Sequence, residues 1–168
     1  MSIEAFPSPS GERKPPKKVV EPLVHLIYVS RPFGFDDLAL GGILATARRN
    51  NLRDDITGAL ICREDLFLQL LEGPRTVVEA AFARIERDDR HTDIRQFVCE
   101  PILGRLFPNW AMRHDPARSW MWSRDQVAAG ALTAANPNEV IGIFQRLAKE
   151  PPATPQDEPF GSCPVGHA

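Results

Sequence analysis

The stretch Leu66-Phe67-Leu68-Gln69-Leu70-Leu71-Glu72 restricts what this chain can fold into more than any other. Successive side chains of an extended strand point to opposite faces, so Leu66, Leu68 and Leu70 fill one face while Phe67, Gln69 and Leu71 share the other. A strand apolar on both faces belongs inside a sheet that is covered on both sides. Residues 24–30 have the same character, Leu26, Tyr28 and Ser30 alternating with His25, Ile27 and Val29. The fold must therefore bury two inner strands that carry a polar Gln69 and the chain's one tyrosine, Tyr28.

The surrounding pattern supplies the other elements. Asp36 and Asp37 put favourable charge at the start of a helix in which Leu40, Ile43, Leu44 and Ala47 recur at helical spacing, and Asn50 and Asn51 end it. Gly41 and Gly42 inside it cost roughly 1 kcal/mol each relative to Ala, so something needs the space, most simply close packing on the sheet. Residues 56–63 and 66–72 read as strands joined by a turn at Glu64 and Asp65, and Gly73-Pro74 stops the second. Val78, Ala81, Phe82 and Ile85 define a second helix ending near Arg90 and His91, and strands follow around residues 94–103 and 109–114. The order β-α-β-β-α-β-β predicts an α+β, ferredoxin-like fold with a mixed five-stranded sheet and both helices on one face. Residues 118–150 supply two helices to cover the other face or contact a second copy, one with Trp120, Met121 and Val127, the next with Val140, Ile143, Phe144 and Leu147.

A chain of 168 residues, 43% hydrophobic, buries one core and hardly two. Ten of the 16 prolines fall in residues 1–22 or 151–168, where apolar periodicity is lost and disordered tails are expected. The expected organisation is a tail over 1–22, a core domain over 23–115, a helical cap over 116–150 and a tail over 151–168. A net charge of -2 offers no basic footprint for nucleic acid. No apolar run approaches the roughly 18 residues of a membrane span, and a cytoplasmic protein is expected. Cys62, Cys99 and Cys163 lack the spacing of a disulfide framework or zinc site, and no metal is expected. Neither GxGxxG nor GxxxxGK[ST] occurs, so a nucleotide would be held by another device.

The polar residues within this apolar frame need partners. A buried amide without them costs on the order of 1–3 kcal/mol, so Gln69 calls for a neighbouring strand or side chain, or for a ligand. Tyr28 carries the same requirement at its hydroxyl, which an ordinary core contact would also meet. Asn50 and Asn51 can cap the first helix or present amides to a heterocycle, and Arg90 and His91 suit the negative end of the second helix dipole. In the predicted layout both helix ends and the inner face of the first and third strands converge on one cleft. Amides and an arginine there suit the carbonyl and imide edge of a flat redox heterocycle, with Ile43 and Phe67 as apolar walls.

In order along residues 24–114, the chain carries Ile27-Tyr28-Val29-Ser30, Asn50-Asn51, Ile56-Thr57-Gly58, Phe67-Leu68-Gln69-Leu70-Leu71-Glu72-Gly73, Asp89-Arg90-His91 and Asn109-Trp110-Ala111-Met112. Together these resemble the BLUF domain, the flavin-binding blue-light sensors, in its short stand-alone form. The resemblance implies non-covalently bound FAD, with FMN or riboflavin as alternatives, lying between the two helices with its ring toward the sheet. It implies Tyr28 as the electron and proton donor to the photoexcited ring, and Gln69 as the bridging amide that changes orientation or tautomer. Ser30, Ile43, Asn50, Asn51, Phe67, Arg90 and His91 would complete the cofactor site. Trp110 and Met112, one strand period apart, would relay the change to the sheet. Such a protein is no enzyme; it signals through a downstream protein partner or by self-association as a homo-oligomer, and Trp120 and Trp122 lie outside the matched motifs.

Three rivals remain at this stage. The fold could serve as an interaction module that binds no flavin, or binds it without responding to light, although retention of both Tyr28 and Gln69 speaks against that. A flavin-dependent redox enzyme would need a substrate-processing set that the sequence does not display. Cys163 and His167 could ligate haem iron, but a free chain end is the default there.

Overall fold

A computed structural model describes residues 20–34 and 36–153 of the chain. Most of both expected tails, with Cys163 and His167, lies outside the described residues. The elements run β1 (Leu23–Pro32), α1 (Asp37–Arg53), β2 (Thr57–Arg63), β3 (Leu66–Pro74), α2 (Arg75–Glu86), β4 (His91–Pro101), β5 (Arg113–Pro116), α3 (Arg124–Ala128), α4 (Ala131–Ala134) and α5 (Pro137–Lys149). They form one five-stranded sheet in the order β4-β1-β3-β2-β5. β5 runs parallel to β2 while the other neighbours are antiparallel, so the sheet is mixed, as the α+β ferredoxin-like reading requires.

The two-sided apolar pattern of β1 and β3 determines the layering. Leu26, Tyr28, Phe67 and Leu71 join Leu40 and Leu44 of α1 and Val78 and Phe82 of α2 in one cluster. Ile27, Val29, Leu68 and Leu70 join Val140, Phe144 and Leu147 of α5 in the other. Each fully buried side chain of this kind contributes roughly 1.5–3 kcal/mol, so neither face of the inner strands could be left uncovered.

Several boundaries differ from the sequence reading, each for a local reason. Asp36 caps α1, its carboxylate accepting from the Ala39 N–H at 2.6 Å, but the helix continues to Arg53. Asn50 and Asn51 therefore lie in its last turn rather than ending it. An added Cβ at Gly41 or Gly42 would meet nothing within 4 Å, so close packing on the sheet does not explain either glycine among the described residues. α2 stops at Glu86, because the Asp88 carboxylate accepts from the Arg90 N–H at 3.0 Å and makes a turn. Arg90 thus sits in that turn and His91 opens β4; neither caps the helix. The helix expected to carry Trp120, Met121 and Val127 contains Val127 alone of the three. A capping box between Ser123 and Gln126 starts α3 after both of the others.

The last strand also begins later than residue 109. The buried carboxylate of Glu72 accepts from the backbone N–H groups of Leu106 at 2.7 Å and Phe107 at 3.0 Å, and Trp110 N–H turns back to the Phe107 carbonyl at 3.2 Å. Those contacts hold residues 106–110 in a loop, and ladder pairing starts at Arg113. Burial lifts the Glu72 carboxyl above the usual range, against the pull of the two backbone donors. Residues at the expected tail boundaries also have partners: the Glu21 carboxylate accepts from Thr76 N–H at the start of α2, and Ala153 N–H donates to Asp115.

Gly58 lets β2 and β3 approach closely, since a Cβ there would stand 2.0 Å from the Leu70 carbonyl oxygen, whereas a Cβ at Gly142 in α5 meets nothing within 4 Å. Gly58→Ala should lower the unfolding free energy by about 3 kcal/mol. Gly142→Ala should raise it by roughly 0.5–1 kcal/mol. Denaturant titration of both variants checks the pair.

Candidate functional site

Tyr28 of β1 and Gln69 of β3 are direct ladder partners. Residues opposite one another in an antiparallel pair project to the same face about 5 Å apart, so the two side chains meet above the sheet. There the Tyr28 hydroxyl donates to Gln69 Oε1, and Gln69 Nε2 donates to the Met112 thioether at 3.4 Å. Tyr28 is fully buried, and its phenol is held well above its ordinary pKa, first by that burial and then by the negative charge of Asp88. The Phe82 ring of α2 lies tilted against it, centroids 5.2 Å apart.

Above these three residues α1 and α2 leave a cleft open to solvent; the space in and over it, bulk solvent included, is about 730 Å³. Ile43, Ala47 and Asn50, at positions i, i+4 and i+7 of α1, form one wall, and Ala81 and Ile85 of α2 form the other. Tyr28, Leu60, Gln69, Leu71 and Met112 line its sheet side, and Arg84, Asp88, Arg90 and His91 reach it from the end of α2 and the turn beyond.

Most of the residues expected at the site come together here, though not all in the roles expected. Tyr28, Ile43, Asn50, Asn51, Gln69, Arg90, His91 and Met112 all line the cleft. Ser30 and Phe67 stand behind His91: Ser30 Oγ lies 2.9 Å from His91 Nδ1, and the Phe67 ring meets the imidazole edge-on at 5.4 Å. Phe67 also lines a smaller recess beside the cleft with Leu40, Ile43 and Arg90. Asn51 donates from Nδ2 to the Ala111 carbonyl at 2.8 Å instead of capping its helix. Arg90 is engaged by Asp88, with Nε 2.9 Å from Oδ1 and a terminal nitrogen 2.5 Å from Oδ2.

Trp110 and Met112 do not share a strand face. Both precede β5, and Met112 packs into the cleft-side cluster while Trp110 packs against the cluster under α5. The Glu72-held loop replaces the ladder that would have put them on one face.

Asp88 was missed in the sequence reading, although it places charge against Tyr28 and fixes Arg90. Its signal was present as an acidic residue two positions before Arg90, the spacing of a side-chain turn. Thr46 and Ala47 were missed as cleft residues, yet they lie one turn from Ile43.

The chemistry of the cleft suits a flavin ring. Gln69 is buried, and a thioether is a weak acceptor for one of its two amide hydrogens. Among the described residues the second has no protein acceptor, leaving hydrogen-bonding capacity directed at the cleft. Asn50 and Asn51 add carboxamides able to meet a ring edge that both donates and accepts, between apolar walls that suit its faces.

The family model of BLUF, described as sensors of blue-light using FAD, matches residues 23–113. The chain belongs to this family, whose domain is a sensor and not a catalyst. Photoactivated adenylate cyclase subunit beta of Euglena gracilis is 36% identical over 91 residues, covering 54% of this chain and 10% of that relative. The blue light- and temperature-regulated antirepressor BluF of Escherichia coli strain K12 is 35% identical over 65 residues, covering 39% of this chain and 16% of the relative. The chain thus spans a small part of the length of these curated relatives. Among solved structures, the dark state of the BLUF protein BlrB is 33% identical, covers 76% of this chain and 96% of its own, and superposes with a TM-score of 0.63. The photo-activated state of BlsA is 25% identical, covers 79% and 99% respectively, and gives a TM-score of 0.68.

His91 supplies a test of the site's electrostatics. Burial lowers its pKa below the ordinary 6.5, with Asp88 opposing and Arg90 adding to the effect. The folded protein therefore binds fewer protons at this residue than the unfolded chain, and stability should fall as the pH drops through the ordinary histidine range. His91→Gln should flatten the decline between about pH 7.5 and 5.5, read by denaturant unfolding at each pH. An unchanged slope would contradict the assignment.

Proposed function

We propose that this protein is a blue-light photoreceptor that holds FAD non-covalently between α1 and α2 and switches through Tyr28 and Gln69. The observation that carries this is the continuous hydrogen-bonded series from Tyr28 through Gln69 to Met112, buried beneath the cleft between α1 and α2.

When bound, the flavin supplies absorption of blue light and an electron acceptor. Tyr28 is the phenol of the cleft, a group able to give both an electron and a proton, and its proton already rests against Gln69 Oε1. Its raised pKa keeps that proton in place at neutral pH. The Gln69 carboxamide can present either oxygen or nitrogen to the same neighbour, so rotation or tautomerisation reverses the pattern it offers to Tyr28, to Met112 and to the cleft. Asn50 and the Asn51 side-chain carbonyl would hold the polar edge of the ring. Ile43, Arg90 and His91 would complete the ring's surroundings, with Ser30 and Phe67 supporting His91 from behind.

FAD is the flavin that the family description names, and FMN or riboflavin would use the same ring contacts. In this reading residues 23–115 sense light and residues 116–150 cover the output face of the sheet. Altered contacts there reach a downstream protein partner, or a second copy of the chain in a homo-oligomer, within the cytoplasm. Among the described residues no helix is long and apolar enough to cross a membrane.

Absorption spectra before and after blue light test the proposal. The purified protein should show flavin bands that shift to the red on illumination and revert in darkness. Tyr28→Phe and Gln69→Leu should each retain the flavin and lose the shift. A protein that takes up no flavin, or whose bands do not move, would instead support the interaction module.

A further inference from the structure

Residues 110–112 form an irregular stretch between the Glu72-held loop and β5, and Ala111 and Met112 are nearly inaccessible. Buried carbonyls outside a ladder require donors from elsewhere. Both come from the inner side of α1, one helical turn apart. Asn51 Nδ2 donates to the Ala111 carbonyl at 2.8 Å, and Arg48 Nε donates to the Met112 carbonyl at 3.1 Å.

Met112 is the residue whose thioether receives the Gln69 amide, so the position of its backbone decides whether that contact is made. A thioether is a weak, short-range acceptor that a few tenths of an ångström can disengage. Arg48 does not line the cleft, and its contact with Met112 is therefore separable from flavin binding.

We propose that Arg48 is a positioning residue for the photoreaction: by holding the Met112 carbonyl it sets the thioether against Gln69, and so sets the relative stability of the two Gln69 orientations. The inference rests on the photoreceptor reading above and concerns the same site. Guanidinium hydrogen bonds are charge-assisted and directional, which suits a residue that fixes an irregular backbone.

The test is the rate at which the light-induced red shift decays in darkness. Arg48→Gln should bind flavin and show the shift, but its recovery rate should differ from the unsubstituted protein by about tenfold, the effect of losing one charge-assisted bond. Arg48→Lys, which keeps a cationic donor, should stay within about threefold. In a Met112→Ala background, where the thioether is gone, Arg48→Gln should change the rate by less than about twofold.

A recovery rate in Arg48→Gln equal to that of the unsubstituted protein would overturn the proposal. So would a full effect persisting with Met112→Ala, because Arg48 would then act by another route. If Arg48→Gln fails to fold, the same cycle run with Arg48→Met, which keeps the aliphatic stem and removes the donor, decides, and zero coupling to Met112→Ala overturns the proposal. Absence of any red shift in the unsubstituted protein is a different failure, that of the photoreceptor reading itself.

Discussion

Two adjacent strands that are apolar on both faces impose most of this structure. β1 and β3 lie side by side within the sheet, and the chain can leave neither of their faces to water. α5 closes one face with Val140, Phe144 and Leu147. On the other face α1 and α2 pack against the strands yet leave a cleft above Tyr28 and Gln69. A carboxamide and a phenol at the base of such a cleft can be satisfied by each other on one side, and the rest of their hydrogen-bonding capacity faces the open space.

The connection from β4 through β5 links the two faces. Glu72 holds its first part at Leu106 and Phe107, and α1 holds its middle at Ala111 and Met112. Arg113 then pairs with buried Asp115 at 2.6 Å and donates to the Leu147 and Glu150 carbonyls at the end of α5. Within a few residues the chain passes from Trp110, packed under the C-terminal helices, through Met112 on the cleft side, to the side chain that grips α5. A displacement at Met112 therefore acts on a segment anchored directly to α5 on the opposite face of the sheet.

Where the sequence was legible, the reason was periodicity. Alternation in residues 24–30 and 66–72 marked the two inner strands, and the spacing of Leu40, Ile43 and Leu44 marked α1, because burial enforces both patterns. The α+β layering and the convergence of Tyr28, Asn50, Asn51, Gln69, Arg90 and His91 on one cleft followed from that pattern. What remained hidden depended on side chains reaching across the fold. Nothing in the local sequence shows that the Glu72 carboxylate will capture residues 106 and 107, delay β5 and divide Trp110 from Met112 between opposite faces. Nor does it show that the Asn51 amide, well suited to cap its own helix, is instead used to hold Ala111. The short cap helices were misread for a related reason, since a Ser123–Gln126 box and not apolar spacing sets where α3 starts.

The central claim is that Tyr28 and Gln69 change their shared hydrogen bond when the cleft's flavin absorbs light. Because Tyr28 is the chain's one tyrosine, isotope labelling of tyrosine reports on this residue alone without altering the site. The decisive measurement is the light-minus-dark infrared difference spectrum of flavin-loaded protein carrying ring-deuterated tyrosine, against the unlabelled protein. The account predicts label-sensitive phenol bands that shift on illumination and return in darkness at the rate of the visible absorption change. Flavin bands that shift while no label-sensitive band moves would contradict it.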